Sequence, residues 1–346
     1  MRVTAEPEVV AWVLHTALGS KRPLPPPDQW TQAIHALGAS RLTPLAVHQL
    51  GDRITQLPRD ARVAMESAML RAEVMTEQRQ KQLAHAIPVL ESTGLPWLIL
   101  KGWPLALRLY PRPNCRPSGD LDLLVSPRHL APVREVLDGI GYRAEETGTT
   151  GYHWRLVRQC AGAEPDVIEL HYGAGPPTMV SPSADVILRS RRPLETAAGV
   201  IWIPSVEMER DLLILHYLRH GGFQAILLLD VLLQLEGKPF RHPMGRLVGD
   251  DLERLGFRRT IDGPRSLRQA LLARWMSART FEQRRVAQHT SILGLPLALG
   301  RFPIGTFAEL ARLIWPRHPT PRWRAEAATP AGRYTWRWKR LARLGR

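Results

Sequence analysis

The sequence predicts an α+β fold in which a block of short strands lies between two helical regions. Apolar residues recur at three- and four-residue spacing from Glu8 to about Glu91, a pattern typical of helices that bury one face. After Gly94 they form short continuous runs, which are typical of buried strands. A helical pattern returns after Ser205. We therefore divide the chain into residues 1–92, 93–176, 177–300 and a basic tail at 301–346.

The first region is expected to be helical throughout. Its apolar patterns are VVAWVLHTAL, QWTQAIHALGASRLTPLAVHQL and ARVAMESAMLRAEVMTEQRQKQLAHAIPVL. The proline-rich segment KRPLPPPDQW separates the first two, and Asp28 is placed to cap the second.

The central block begins with the strand-like run PWLILKG and a short helix, WPLALRLY. The irregular loop PRPNCRPSG leads to a second strand, DLDLLV. A helix should follow with Ser126 as its cap, Pro127 at its first position and its end at Gly141. The runs YRAEE, HWRLVRQC and DVIELHYG predict three more strands.

After the central block the sequence predicts a hairpin and then more helices. The hairpin covers RPLETAAGVIWIP, and Ser205 is placed to cap the helix VEMERDLLILHYLRHGG. A second apolar helix, FQAILLLDVLLQLEG, comes next, and residues 247–300 are expected to continue as helices with arginine-rich exposed faces.

The composition is that of a folded protein. With 44% hydrophobic and 23% charged residues among 346, the chain is not disordered, collagen-like or a coiled coil. Two cysteines, Cys115 and Cys160, are too few for a disulfide framework or a thiolate zinc site. No basic segment precedes the first apolar run, and prolines break the longest apolar stretch, so we expect neither a signal peptide nor a membrane span. We therefore expect a cytoplasmic location.

The formal charge of +15 is concentrated in the tail. Residues 301–346 contain eleven Lys or Arg and two acidic residues, interleaved with Trp315, Trp323, Trp336 and Trp338. Three interpretations stay open: a helix whose tryptophans pack on the core, peripheral contact with an anionic membrane surface, or binding of nucleic acid. The sequence favours them in that order.

Three acidic residues carry the chemistry that the sequence predicts. Asp120 and Asp122 project from the same side of a strand, because side chains alternate between its faces. Two carboxylates so placed on a buried strand repel each other unless a cation lies between them. Glu169, in another apolar strand, completes a set of oxygen ligands suited to Mg²⁺ and phosphates. Gly102, after Lys101, allows a close approach of backbone N–H groups to a triphosphate.

The segments L-K-G, G-D-L-D-L-L-V and V-I-E-L-H together resemble the polymerase-β-like nucleotidyltransferase superfamily. More closely, LILKGWPLALRLYPRPNCRPSGDLDLLV resembles the family described as uncharacterised nucleotidyltransferases, with its LKG turn, Tyr-Pro loop and Arg-x-x-Gly-Asp-x-Asp strand. The segment LLILHYLRHGGFQAILLLD is similar to that family's histidine-rich helix followed by an aspartate. The resemblance covers about residues 28–236.

The resemblance implies a five-stranded mixed sheet and two bound Mg²⁺ ions, for which Mn²⁺ can substitute. The implied reaction moves a nucleoside monophosphate from an NTP such as ATP to a hydroxyl of a small-molecule, peptide or protein acceptor and releases pyrophosphate. The implied catalytic and metal-binding residues are Asp120, Asp122 and Glu169, of which Glu169 also helps to activate the hydroxyl. The implied nucleotide-binding residues are Lys101, Gly102, Arg116, Ser118 and Gly119. Residues expected near the acceptor are His171, His216, His220 and Asp230.

Two features depart from the superfamily pattern. Trp103 stands where the glycine turn usually has a second small residue, so Lys101 or Arg116 must supply a phosphate contact. The segment between Gly102 and Asp120 is also longer than usual, because of the PRPNCRP loop.

Other interpretations of the same residues stay open. An Asp-x-Asp pair alone is typical of a solvated strand end, and a chain that kept the fold without catalysis would be an adaptor that binds a membrane or nucleic acid through its tail. Asp166 is a rival third acid, although it precedes the apolar strand and is expected to cap a turn.

The histidines and one cysteine also allow alternatives. His216 and His220 lie four residues apart on a helix, as zinc ligands can, but the sequence offers no third ligand, so a structural or substrate-facing pair is favoured. His171 shares a strand face with Glu169 and is equally consistent with a packed histidine. Cys115 has no His and Asp placed to activate it as a nucleophile, and we expect it to be incidental.

Overall fold

The structure, a computed structural model, describes residues 8–263 except 21, 146–151, 176–180, 221–223 and 243. The basic tail and the helices predicted beyond residue 263 lie outside the described residues. Within them the chain forms a five-stranded mixed sheet with helices on both sides of it in sequence, which confirms the predicted α+β class.

The N-terminal region is helical, as predicted, although its second run is divided. The helices are α1 Glu8–Ala17, α2 Pro27–Ala39, α3 Thr43–Leu50 and α4 Arg59–Ser92, with a 3-10 helix at Gly51–Gln56. The division between α2 and α3 falls at Arg41, whose φ of 57° is left-handed and ends a helix. The prediction that Asp28 caps α2 is wrong, because Pro26 holds the cap position and Asp28 lies in the first turn.

The central sheet is built from the five predicted strands. They are β1 Trp97–Ile99, β2 Leu121–Val125, β3 Arg143–Ala144, β4 His153–Arg158 and β5 Asp166–His171. Their spatial order is β1-β2-β5-β4-β3, in which β2 and β5 are parallel and the other pairs are antiparallel. Strand β2 is buried along its whole length, so its apolar run is explained by cover on both faces. The parallel pair brings two distant segments side by side.

Two helices connect the first strands. Helix α5 covers Trp103–Leu109, and α6 covers Leu130–Gly139 after a 3-10 turn at Pro127–His129. The prediction that Ser126 caps α6 is wrong, since that residue precedes the 3-10 turn and makes no side-chain cap hydrogen bond. The helix also ends two residues before Gly141.

The C-terminal part of the described chain contains the predicted hairpin and helices. The elements are α7 Ala184–Arg189, β6 Arg192–Thr196, β7 Gly199–Ile203, α8 Val206–Arg219, α9 Ala225–Leu235, β8 Phe240–Arg241, α10 Gly245–Arg254 and β9 Ile261–Asp262. Ser205 caps α8 as predicted, with its Oγ accepting a hydrogen bond from the Met208 N–H at 3.3 Å. Strand β9, which pairs in parallel with β8, interrupts residues 247–300, which the sequence predicts to be helical.

The apolar residues form two main cores. One lies under the sheet and includes Leu123, Ile168 and Leu83 of α4. The other joins helices from both ends of the described chain, with Trp30 of α2 and Leu228 of α9 in the same cluster. None of the helices in the described ranges is long and apolar enough to cross a membrane.

Candidate active site

Three acidic residues predicted from the sequence line one cleft beside the sheet. Asp122 of β2 lies directly opposite Glu169 of β5 in the parallel pairing, and Asp120 immediately precedes β2. The cleft has an empty volume of about 510 Å³, part of it open to solvent, and Lys101 and Gly102 line it as well. The structure thus gathers residues that are 49 positions apart in the chain, Asp120 and Glu169, around one space.

The carboxylates differ in their electrostatic surroundings. Burial, and next the charge of Asp122, raises the pKa of Asp120 above its ordinary value. Burial would also raise the pKa of Asp122, but Lys101 and His171 outweigh it and hold that pKa well below the ordinary value. Burial would also raise the pKa of Glu169, but a hydrogen bond from His171 together with the charges of Lys101 and His153 outweighs it and lowers that pKa. The cleft therefore concentrates negative charge that cations must balance.

The two oxygens of Asp122 have different partners. Oδ1 accepts a hydrogen bond from His171 Nε2 at 3.0 Å and forms an ion pair with Lys101 Nζ. Oδ2 is buried and has no hydrogen-bond partner in the described part of the chain. A buried carboxylate oxygen without a partner is costly unless a ligand satisfies it. Together with the neighbouring Glu169 and Asp120, this oxygen fits the ligand set of a divalent cation such as Mg²⁺.

Gly102 forms the tight turn that the sequence predicts between β1 and α5. Its φ of 78° is in the region that favours glycine, and a Cβ at this position would lie 2.6 Å from Ser118 Oγ. Ser118 in turn donates a hydrogen bond to the carbonyl oxygen of Asp120 at 2.9 Å. The missing side chain thus lets the turn pack against the loop that carries Asp120. Gly119 is exposed and does not line the cleft, and Trp103 is buried in the core under the sheet.

Arg116 lines the cleft and is held from behind by Asp230. The guanidinium donates to both carboxylate oxygens, from Nε at 2.9 Å and from Nη2 at 2.6 Å, and Tyr110 Oη donates to Oδ1 at 2.7 Å. Nη1 is turned the other way and lies 3.9 Å from the position of a Cβ on Gly102. The expectation that Asp230 faces an acceptor does not fit this arrangement, because its carboxylate is fully buried behind Arg116 and does not line the cleft.

Helix α8 and the residues next to it also line the cleft. His216 and His220 line it as predicted, with ring centroids 4.5 Å apart. Burial lowers the pKa of His216 well below its ordinary value and, with the charge of Arg219, lowers the pKa of His220 to about 3. Both imidazoles are therefore neutral near pH 7. Among the described residues they belong to no group of three metal-binding side chains, so the zinc alternative gains nothing from the structure.

Sequence reasoning missed several residues at this site. Arg41, Arg219, Gln224 and Leu227 also line the cleft. Arg79 of α4 is buried beneath it and donates from Nη2 to the carbonyl oxygen of Ser118 at 3.3 Å. No local motif marks these positions. The one usable signal is the interruption of the helical pattern around Arg41.

Two histidines lie next to the acids on the same face of the sheet. His171 Nε2 is 3.0 Å from Asp122 Oδ1 and 3.3 Å from Glu169 Oε2. His153, directly opposite His171 on β4, has its Nε2 3.9 Å from Glu169 Oε1. The strand register therefore turns the acidic pair into a cluster of acids and imidazoles.

The two remaining candidates lie away from this cluster. Asp166 does not line the cleft, since its Oδ2 forms an ion pair with Arg158 Nη2 at 2.5 Å at the start of β5. Cys115 is completely buried, and burial raises the pKa of its thiol, which disfavours the nucleophilic thiolate. Asp166 therefore does not take the place of Glu169 as the third acid, and Cys115 is disfavoured as a nucleophile.

Comparisons with known proteins cover the region that forms this site. A family model described as uncharacterised nucleotidyltransferase matches residues 26–262, more than half of the chain. Among solved structures, the crystal structure of an antigenic nucleotidyltransferase-like protein from Paracoccidioides brasiliensis is 14% identical, with 60% of this chain and 95% of that chain covered and a TM-score of 0.36. A search of curated proteins found no match. The family match includes every residue predicted for the site.

Proposed function

The chain belongs to the family of uncharacterised nucleotidyltransferases, and from this premise we propose that it transfers a nucleoside monophosphate from an NTP to a hydroxyl group of an acceptor. The observation that carries the proposal is the convergence of Asp120, Asp122 and Glu169 on one cleft that is also lined by basic side chains. Carboxylates next to cations are what a divalent metal and a triphosphate together require.

Asp120, Asp122 and Glu169 would hold the divalent cations. The unpartnered Oδ2 of Asp122 supports this assignment, because a cation would satisfy it. When bound, such ions neutralise phosphate charge and stabilise the attacking and leaving oxygens of phosphoryl transfer. Mg²⁺ is the expected ion for an oxygen-only set, and Mn²⁺ is an expected substitute.

The basic side chains of the cleft would bind the triphosphate. Lys101 is ion-paired with Asp122, so its ammonium group can exchange that carboxylate for a phosphate oxygen when a cation takes its place. Arg116 is pre-oriented by Asp230 and presents Nη1 towards the Gly102 turn. Arg41 and Arg219 add positive charge on the α8 side. Fixed guanidinium groups of this kind lose little freedom on binding and stabilise charge spread over phosphate oxygens.

The reaction would be an in-line displacement at the α-phosphorus. The acceptor oxygen forms a bond to phosphorus while the bond to the pyrophosphate oxygen breaks. The hydroxyl proton passes to Glu169, because its side chain is 22% exposed and that of Asp122, opposite it on β2, is only 1% exposed. The neutral imidazoles of His216 and His220 also line the cleft, where they can donate or accept hydrogen bonds without adding charge. Positioning and electrostatics supply most of the rate in such transfers.

The test uses NTPs labelled at the α-phosphate, the purified full-length chain and a lysate as the source of acceptor. Asp122→Asn should lower labelled product and pyrophosphate release about 100-fold or more, because a charge that stabilises the transition state is lost. Asp60→Asn, an exposed acid in the first turn of α4, is the matched control and should keep the parent activity. Absence of binding of all four NTPs in the presence of Mg²⁺ or Mn²⁺ would refute the proposal.

A further inference from the structure

A second set of metal-ligand atoms lies beside the carboxylates, and it contains nitrogen. His153 on β4 is directly opposite His171 on β5, and Glu169 lies two residues earlier on the same strand. Since side chains alternate between the faces of a strand, these three residues share one face of the sheet. The antiparallel pairing of β4 and β5 thus brings two imidazoles to the carboxylate that the parallel pairing has already placed beside Asp122.

The separations of the ligand atoms suit one ion. His171 Nε2 is 3.3 Å from Glu169 Oε2, His153 Nε2 is 3.9 Å from Glu169 Oε1, and one ligand atom from each residue lies within 4.8 Å of the others. Two ligands at about 2.1 Å from a tetrahedral ion are about 3.4 Å apart. Small side-chain adjustments would therefore bring all three atoms to a common centre. The ion would replace the proton through which His171 Nε2 donates to Asp122 and Glu169, because a ligating nitrogen carries no hydrogen.

The surroundings of the three side chains suit a bound metal ion. The two imidazoles are buried, whereas Glu169 lines the cleft, so a bound ion would be reached through the cleft. Imidazole nitrogen is a common ligand of Zn²⁺ and similar transition metals, whereas Mg²⁺ prefers oxygen ligands and retains water. Two histidines and one carboxylate, with one position open to solvent, are a set that zinc uses in proteins.

We propose that His153, Glu169 and His171 bind one transition-metal ion of the zinc class, with its remaining position open to the cleft. The site shares Glu169 with the proposed reaction centre, but it forms on this chain whether or not the chain turns over an NTP. The nitrogen ligands favour a zinc-class ion over Mg²⁺ here, so while that ion is bound Glu169 is its ligand, and the Mg²⁺ set of the proposed reaction is reduced to Asp120 and Asp122.

The experiment measures metal binding directly, without nucleotide. The full-length protein is stripped with EDTA and titrated with Zn²⁺ and, separately, with Mg²⁺ in a calorimeter. Zinc should bind about 100-fold more tightly than magnesium, as the ligand types require. His153→Gln should weaken zinc binding about 10-fold or more, because a ligand is lost. His35→Gln, an exposed histidine on α2, is the control and should leave the affinity unchanged.

A second measurement serves if the His153→Gln protein does not fold, which circular dichroism will show. X-ray absorption of the zinc-loaded parent protein should contain the scattering of imidazole rings in the first coordination shell. Only oxygen ligands in that shell, equal affinities for zinc and magnesium, or an unchanged zinc affinity in folded His153→Gln would overturn the proposal. If zinc does not bind at this site but Mg²⁺-dependent transfer is observed, only the zinc proposal fails. If zinc binds there but no NTP binds to the protein, only the proposed function is refuted.

Discussion

Removal of the carboxylate behind Arg116 should destabilise the protein strongly. Asp230 and Arg116 are both buried, with side chains 0% and 6% exposed, and they share two hydrogen bonds of 2.6 and 2.9 Å. Asp230→Leu leaves the guanidinium charge buried without a counter-ion, which costs about 3–5 kcal/mol. It also leaves the Tyr110 hydroxyl without its acceptor at 2.7 Å. The free energy of unfolding, measured by urea titration, should fall by at least that range.

The double variant Arg116→Met/Asp230→Leu separates the charge from the packing. It removes both partners, so the unpaired charge disappears and only the Tyr110 hydroxyl stays unsatisfied, a cost of about 1–3 kcal/mol. The double variant should therefore be more stable than the single Asp230→Leu variant. A single variant that loses less than about 1 kcal/mol, or a double variant no more stable than the single one, would refute the reasoning.

A milder change tests what the pair does for the cleft. Asp230→Asn keeps the shape but removes the charge that orients Arg116, and we expect the affinity for an NTP to fall about 10-fold, equivalent to about 1.4 kcal/mol. Asp251→Asn is a matched control. Asp251, on α10, is equally buried, and its Oδ2 accepts a hydrogen bond from the hydroxyl of Tyr217 at 2.6 Å. Equal losses of NTP affinity in the two variants would show that Asp230 has no specific role at the cleft.

Two further predictions concern the Gly102 turn and the α8 histidines. Gly94→Ala, at φ 64° with no atom within 4 Å of the new Cβ, should lower the free energy of unfolding in urea by about 1–2 kcal/mol. Gly102→Ala, at φ 78° with its Cβ 2.6 Å from Ser118 Oγ, should lower it by more. Equal losses would show that the Ser118 contact is unimportant. Because the pKa of His220 is lowered to about 3, its contribution to stability is complete above the unfolded value near 6.5 and is lost as pH falls. Urea titrations at pH 7 and 5 should show His220→Gln gaining on the parent protein by at most about 1.4 kcal/mol per pH unit, and an identical pH dependence in both proteins would contradict the lowered pKa.

Local patterns in the sequence were sufficient for most of the elements. The strands that build the site, the Gly102 turn, the hairpin and the Ser205 cap each carry a pattern of neighbouring residues, such as a short apolar run, a glycine or a capping serine, and the sequence predicts them. The errors at Asp28 and Ser126 arose next to prolines, where α2 begins two residues earlier and α6 three residues later than predicted. Cap geometry depends on the backbone angles of the preceding residue, which a residue type alone does not specify.

The candidate site could be predicted only in part. The acids Asp120, Asp122 and Glu169 stood out because charged residues in apolar strands are costly, and the structure brings all three to one cleft. Arg41 and Arg219 could not be found in this way, because an arginine on a helix or turn has no distinctive pattern. Asp230 was predicted to face an acceptor, whereas its partner is Arg116, a residue 114 positions earlier in the chain.

The amino-acid sequence by itself determined the order of helices and strands and the resemblance to a nucleotidyltransferase family. It also predicted Asp120 and Asp122 on one strand, although β2 begins at Leu121. Only the tertiary structure decided that β5 lies beside β2 with Glu169 opposite Asp122, and that β4 adds His153 to the same face. The reason is physical. The alternation of side chains is set by neighbouring residues, but strand order and register are set by how distant segments bury their apolar faces together.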